Sequence, residues 1–197
     1  TGESLVAVTQ KLVAIAEPHR ETIATYDEWF EANHMYDAVL VGPGAYAGNR
    51  FVATRALKAR RHPLDGGVFA DATIGSFVAL YYLAPGTVEQ HFAWAFPQSA
   101  WLGATGRNNP DRTLVLTWLC DTVGSVSRAG HRVPPQVALD HPYAGIVMTW
   151  IERPEHATLD ELRADLVDTH VPALFDRAPS VQHVQLWSPR EFPDTKG

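Results

Sequence analysis

His34 stands eight residues after Tyr26 in the stretch TYDEWFEANHMYD, with Trp29 and Phe30 between them. At about 3.6 residues per helical turn, Tyr26, Phe30 and His34 fall along one stripe. An imidazole titrates near neutrality and can take or return a proton without a cofactor. A phenol two turns away can hold or protonate a developing enolate oxygen. Asn33 adjoins His34 and offers an amide to orient a substrate, although neighbouring helix positions diverge by about 100°. Against this chemistry stands a structural role, in which the His34 ring bonds a carbonyl of the loop following Gly42-Pro43-Gly44.

His91 is a second candidate for proton transfer. In VEQHFAWAF it shares a helical face with Val88 and Ala95, so it points inward and needs a hydrogen-bond partner there. Tyr81, Tyr82, Phe92, Trp118 and Trp29 are candidate walls of an aromatic substrate pocket, along with Phe30, Trp94 and Trp150; core filling is the competing role for each. His170 joins the substrate-binding set because it repeats His34 later in the chain. His19, His62, His131, His141 and His156 fall in loops or turns and read as solvated.

The nine histidines show no His-x-x-x-His pair with an acidic partner, so no metal site is expected. GPGAYAG follows a helix and precedes a strand, the reverse of a dinucleotide-binding loop, and no nucleophile elbow occurs. No cofactor is expected. Cys120, the single cysteine, sits in the apolar run LVLTWLC and reads as an inert core thiol in a reducing compartment. A formal charge of -6 offers no basic field for nucleic acid. Ser76–Pro85 is too short to span a bilayer, and the first residues carry no secretory pattern. The expectation is a soluble, cytoplasmic protein.

The elements that must position these residues emerge from an internal repeat. Shifted by 136 residues, VTQKLVAIAEPHRETIATYDEW lies over AGIVMTWIERPEHATLDELRAD without a gap. The register places Ile15 on Ile151, Pro18 on Pro154, His34 on His170 and Pro43 on Pro179. Each copy reads strand, helix, strand: LVAVTQKLVAI and YAGIVMTWI are β-branched strands. Thr158 and Glu161 have capping-box spacing. The two helical stripes run Ile23, Tyr26, Phe30, His34, Ala38 and Leu159, Leu162, Leu166, His170, Leu174. Ile74–Leu83 and Leu114–Asp121 read as further strands around a helix over VEQHFAWAF that Pro97 limits. Arg55–Gly67 and Gly124–Pro142 read as loops. The first half is then β-α-β-β-α-β, a ferredoxin-like order. Residues 1–127 form the first unit, 128–142 a linker, and 143–197 a second, shorter unit packed with the first.

Tyr26-Asp27-Glu28-Trp29, His34, Gly42-Pro43-Gly44 and Arg50-Phe51, in that order, resemble the EthD-like group of the dimeric α+β barrel superfamily. The resemblance covers about residues 5–57 and, more loosely, 143–188. It implies an α+β fold in which two ferredoxin-like sheets close into a barrel, in many members as a homodimer. A tandem chain could form that barrel alone, so the association of two chains stays open. The superfamily includes cyclases, lyases and cofactor-free monooxygenases, and the fold does not choose among them.

These observations point to a cofactor-independent enzyme of lyase or cyclase type, working through an enolate on an aromatic or apolar carbonyl compound. His34 would carry the proton, and Tyr26 or one of Tyr81 and Tyr82 would stabilise the oxyanion. A cofactor-free monooxygenase and a non-catalytic small-molecule-binding protein are the alternatives.

Overall fold

A computed structural model describes residues 10–64, 67–133, 138 and 141–194. Five strands form one antiparallel sheet, β1 (Gln10–Pro18), β2 (Ala45–Val52), β3 (Phe77–Leu83), β4 (Arg112–Ser127) and β5 (His183–Arg190), in the order β2-β3-β1-β4-β5. The sheet curls into a half-barrel, giving an α+β fold. The helices are α1 (Ile23–Trp29), α2 (Arg55–Lys58), α3 (Val88–Ala104), α4 (Leu159–Asp165) and α5 (Val171–Arg177). The first four strands, with α1 and α3, therefore run in the expected β-α-β-β-α-β order.

Strand β3 is the centre of the core, with all seven residues buried. Its side chains alternate, as the pleat requires. Phe77, Ala79 and Tyr81 meet Tyr26, Phe30, Met35 and Val39 of the α1 region, and Leu83 meets Val88 and Phe92 of α3. Val78, Leu80 and Tyr82 face the other way, toward Val13, Ile15 and Cys120. The core thus has two layers, one under the helices and one on the opposite face.

Beyond Trp29 the first helix widens into π turns at Phe30–His34 and Tyr36–Leu40. The Met35 N–H closes the first on the Phe30 carbonyl, five residues back rather than four. The buried stripe becomes Tyr26, Phe30, Met35 and Val39, while Ile23 is 44% exposed. The expected α-helical stripe is corrected by one residue at the wide turn. A third π turn covers Leu166–His170, between α4 and α5. It is the Phe30–His34 turn displaced by the same 136 residues that align the sequence copies.

Other expectations change. Helix α3 runs on through Pro97 to Ala104. Pro97 and Ala93, whose carbonyl Pro97 leaves without a donor, are exposed, so water can solvate the gap. The loop expected from Gly124 instead begins after Ser127, because β5 pairs with β4 past an irregularity at Thr122/Gly124. A short helix α2 stands in the Arg55–Gly67 loop, capped by Thr54. Residues 5–9 of the expected first strand lie outside the described residues.

The second copy keeps its capped helix, where Thr158 and Glu161 form the reciprocal capping box, and its last strand β5. That strand pairs with β4 at the edge of the single five-stranded sheet. The expected strand YAGIVMTWI is not paired into a sheet among the described residues. Ile146, Met148 and Trp150 pack on the opposite face of the sheet, while Val147 is 90% exposed. No helix among the described residues is long and apolar enough to cross a membrane.

Candidate functional site

The wide turn fixes the environment of His34. In an α-helix, residues five apart diverge by about 140°; closing the turn on the fifth residue brings them nearer. The His34 ring consequently stacks on Trp29, with centroids 4.5 Å apart and planes 28° apart. Phe30 flanks it at 5.2 Å. The imidazole is half-buried, and no hydrogen bond reaches its nitrogens among the described residues. Burial, followed by the positive charge of Arg112, holds its pKa down at about 4. His34 is therefore neutral at pH 7, with one nitrogen free to accept a proton.

Tyr26 is buried beside Trp29 and Phe77, with ring centroids 5.5 Å away in each case. Tyr81 reaches the same cluster from β3, and its buried hydroxyl has no partner among the described residues. Burial is the main cause of a raised pKa in both phenols, opposed by Arg112 and Arg50. Both remain hydrogen-bond donors at neutral pH.

Arg50 projects from β2 between Phe30 and Phe77, its guanidinium carbon 5.0 and 4.9 Å from their rings. It pairs with Asp27 at 2.5 Å and Glu31 at 2.8 Å, and its other terminal nitrogen, Nη1, is buried without a partner among the described residues. Arg112, the first residue of β4, lies 5.0 Å over the Trp29 ring. The Trp29 indole N–H is fixed by the Arg107 carbonyl at 2.8 Å. Trp29 and Asn33 form one wall of an open depression of about 440 Å³, and Gly106–Asp111 form the other.

The structure thus brings together His34, Tyr26, Trp29, Asn33 and Tyr81. It separates the rest. His91 is fully buried, its Nδ1–H donating to the Pro43 carbonyl at 3.0 Å. Burial lowers its pKa, partly opposed by that bond. A structural role of the kind weighed for His34 belongs to His91, which bonds a carbonyl of the Gly42-Pro43-Gly44 turn itself. Phe92 packs under α3 with Leu83 and Leu119. Tyr82 and Trp118 lie on the opposite face of the sheet, so a single pocket walled by all the aromatic candidates does not form. His170 is at the surface, its side chain 64% exposed and 3.2 Å from Asp165.

Sequence reasoning missed Arg112 as a site residue. The usable signal was its place at the start of the strand that pairs with β1, since Arg112 faces Pro18 and the chain enters α1 just beyond. It also missed a polar cluster on the opposite face. Lys11 is fully buried, donates to the Thr122 hydroxyl and lies 5.1 Å over Trp187. Burial, opposed by Cys120, pulls its pKa down to about 7. His183 contacts the Ser125 and Ser127 hydroxyls at 3.1 and 2.9 Å. Its pKa is held at about 4 by burial, then by His131 and Lys11. His131, expected in solvent, is half-buried and bonds the Tyr143 hydroxyl at 2.7 Å.

Among the described residues, no group of three or more His, Cys, Asp or Glu side chains could hold a metal ion. Comparison with family models, curated proteins and solved structures returns no match.

Proposed function

We propose that the chain is a cofactor-independent enzyme of lyase or cyclase type, acting by proton transfer on an aromatic or apolar carbonyl compound. The observation that carries this reading is the neutral, unbonded His34 ring, seated on Trp29 and grouped with Tyr26, Tyr81 and Arg112. His34 removes a proton from the carbon next to the substrate carbonyl. The electron pair moves onto the carbonyl oxygen, and a phenol hydrogen bond with the nearby guanidinium charge stabilises the resulting enolate. Collapse of the enolate then eliminates a leaving group or closes a ring, and the imidazolium returns its proton.

The fold belongs to the same proposal. Two helices over one face of a curled β2-β3-β1-β4 sheet support an α+β barrel of the EthD-like type. The matching π turns support a tandem origin of the two halves. In such a barrel the opposite face closes against a second sheet, from the same chain or from a second copy; sedimentation velocity separates these.

The test of the chemistry is exchange of substrate hydrogen in heavy water, followed by proton NMR on a panel of aryl ketones and aryl keto acids. The wild type is expected to wash out the proton next to the carbonyl. His34→Ala, with its fold checked by circular dichroism, is expected to lose that exchange. Undiminished exchange in the variant refutes His34 as the base.

A further inference from the structure

We propose that Arg112 anchors a carboxylate, so that the depression beside Trp29 takes an aryl carboxylate with its ring near the indole and its anionic end on the guanidinium. The inference rests on the proposed reading only for the placement of this group next to the reacting carbon.

The first observation is a difference among the cations around α1. Arg50 is committed to Asp27 and Glu31. Arg107 is committed to Asp37 at 2.7 Å, and Lys58 lies 3.6 Å from Glu17. Arg112 has no carboxylate partner among the described residues. Its guanidinium meets neutral acceptors instead, the Asn109 carbonyl and the Asn108 side-chain oxygen at 3.4 Å. A half-buried guanidinium without a counter-ion is an incomplete arrangement, and a planar carboxylate completes it through paired charge-assisted bonds.

The second observation is position. Arg112 lies over Trp29 and bonds Asn108 and Asn109, so it sits directly behind the wall of the depression. Trp29, Asn33, Asn108 and Asn109 line it together with Arg107, already paired with Asp37, and Asp111. Its volume of about 440 Å³ lies within the range of small-molecule sites. His34 stacks on the indole and the Arg112 guanidinium lies over it, so an incoming ring meets the exposed edge of Trp29, with the Asn33 and Asn108 amides at the rim.

The third observation links the anchor to the base. The charge of Arg112 reaches His34, Tyr26 and Tyr81. A carboxylate seated on Arg112 cancels that charge and raises the basicity of His34 when substrate arrives. Burial still acts on the ring, and Arg50 stays neutralised by Asp27 and Glu31, so Arg112 is the charge that changes. Acids would activate their own base; the matching amides would not.

Benzoate and benzamide serve as probes, with the His34 ring resonance assigned by its loss in His34→Ala. In the full chain, benzoate is expected to bind saturably and to move the His34 titration upward from about 4, while benzamide leaves it in place. Arg112→Gln should weaken benzoate by about tenfold or more and abolish the benzoate-induced shift. In the free Arg112→Gln protein, His34 should titrate above wild type. Arg112→Lys, which keeps the charge but not the paired geometry, should give intermediate binding and controls for folding. Equal benzoate affinity in wild type and Arg112→Gln, or no saturable binding to wild type, overturns the proposal. If benzoate binds as expected while His34→Ala keeps hydrogen exchange, the anchor stands and the assignment of the base falls.

Discussion

Phe30–His34 and Leu166–His170 are the same device built twice, and only one copy makes a chemical environment. In both, an amide closes on a carbonyl five residues back, Met35 on Phe30 and Val171 on Leu166, and in both the turn ends in histidine. The residue five positions before the histidine differs. In the first copy it is Trp29, and the two rings stack at 4.5 Å. In the second it is Asp165, whose carboxylate lies 3.2 Å from an exposed His170. The layer beneath differs too: α1 sits on β3 with Phe77 and Tyr81, while the second-copy stripe leaves Leu159 and Leu174 over 40% exposed. The backbone turn aims the imidazole. Burial among the surrounding aromatics, with the charge of Arg112, sets its protonation.

The widest separation between the copies should appear in turnover. His34→Ala is expected to slow an identified reaction by about 10²–10⁴-fold, the usual contribution of a positioned base, and His170→Ala to leave it unchanged. Equal losses in steady-state assays would erase the distinction. Tyr81→Phe comes next: about 10²-fold slower turnover if its hydroxyl faces the enolate, with an unfolding midpoint no lower than wild type. The hydroxyl it removes is buried without a partner among the described residues, so its loss costs the fold little.

A third contrast lies in the turns that follow. Gly42 of the first copy aligns with Ala178 of the second. A methyl group at Gly42 would meet the Trp94 ring at 2.4 Å and His91 at 3.0 Å. Gly42→Ala should therefore cost about 1–3 kcal/mol in urea unfolding, while Ala178→Gly should cost less than about 1 kcal/mol.

The smallest contrast is in acid stability. Folded His34 binds its proton near pH 4, whereas the unfolded ring binds near 6.5. Between those values the unfolded chain holds more protons, so stability rises with pH through the window and is lost as pH falls. The slope is at most about 1.4 kcal/mol per pH unit per proton. His183, also held near 4, adds to it. Urea midpoints from pH 4 to 6.5 should vary less steeply in His34→Gln than in the wild type.

The alignment at a shift of 136 residues rests on order and spacing rather than identity, and the two wide turns fall at equivalent positions in it. The β-α-β-β-α-β succession of elements in the first half followed from its periodicity. The π turn was not legible. Its local signal differs from an α-helix only in which residues end up buried, so Met35 and Val39 were passed over. The scatter of the pocket candidates was partly avoidable, since Tyr81 and Tyr82 are adjacent on one strand and must face opposite ways. Pairing was harder to read. YAGIVMTWI has strand composition, but hydrogen bonding depends on a distant partner, and no local pattern supplies one. Arg112 and Lys11 escaped for a related reason: a cation in a strand is interpretable only once its facing layer is known.

The run from Tyr143 to Glu152 has one further consequence. Its inner side chains are anchored, its outer ones include Val147 and Ile151, and beyond the Tyr143 N–H, which bonds the His141 carbonyl, residues 144–152 make no backbone hydrogen bond among the described residues. That is the template on which edge-to-edge aggregation starts. Glu152, Arg153 and Pro154 stand at its end as gatekeepers, two charges and a residue that cannot extend a ladder. Neutralising those charges makes concentrated solutions of this chain turbid sooner, without touching the site on the far side of the sheet.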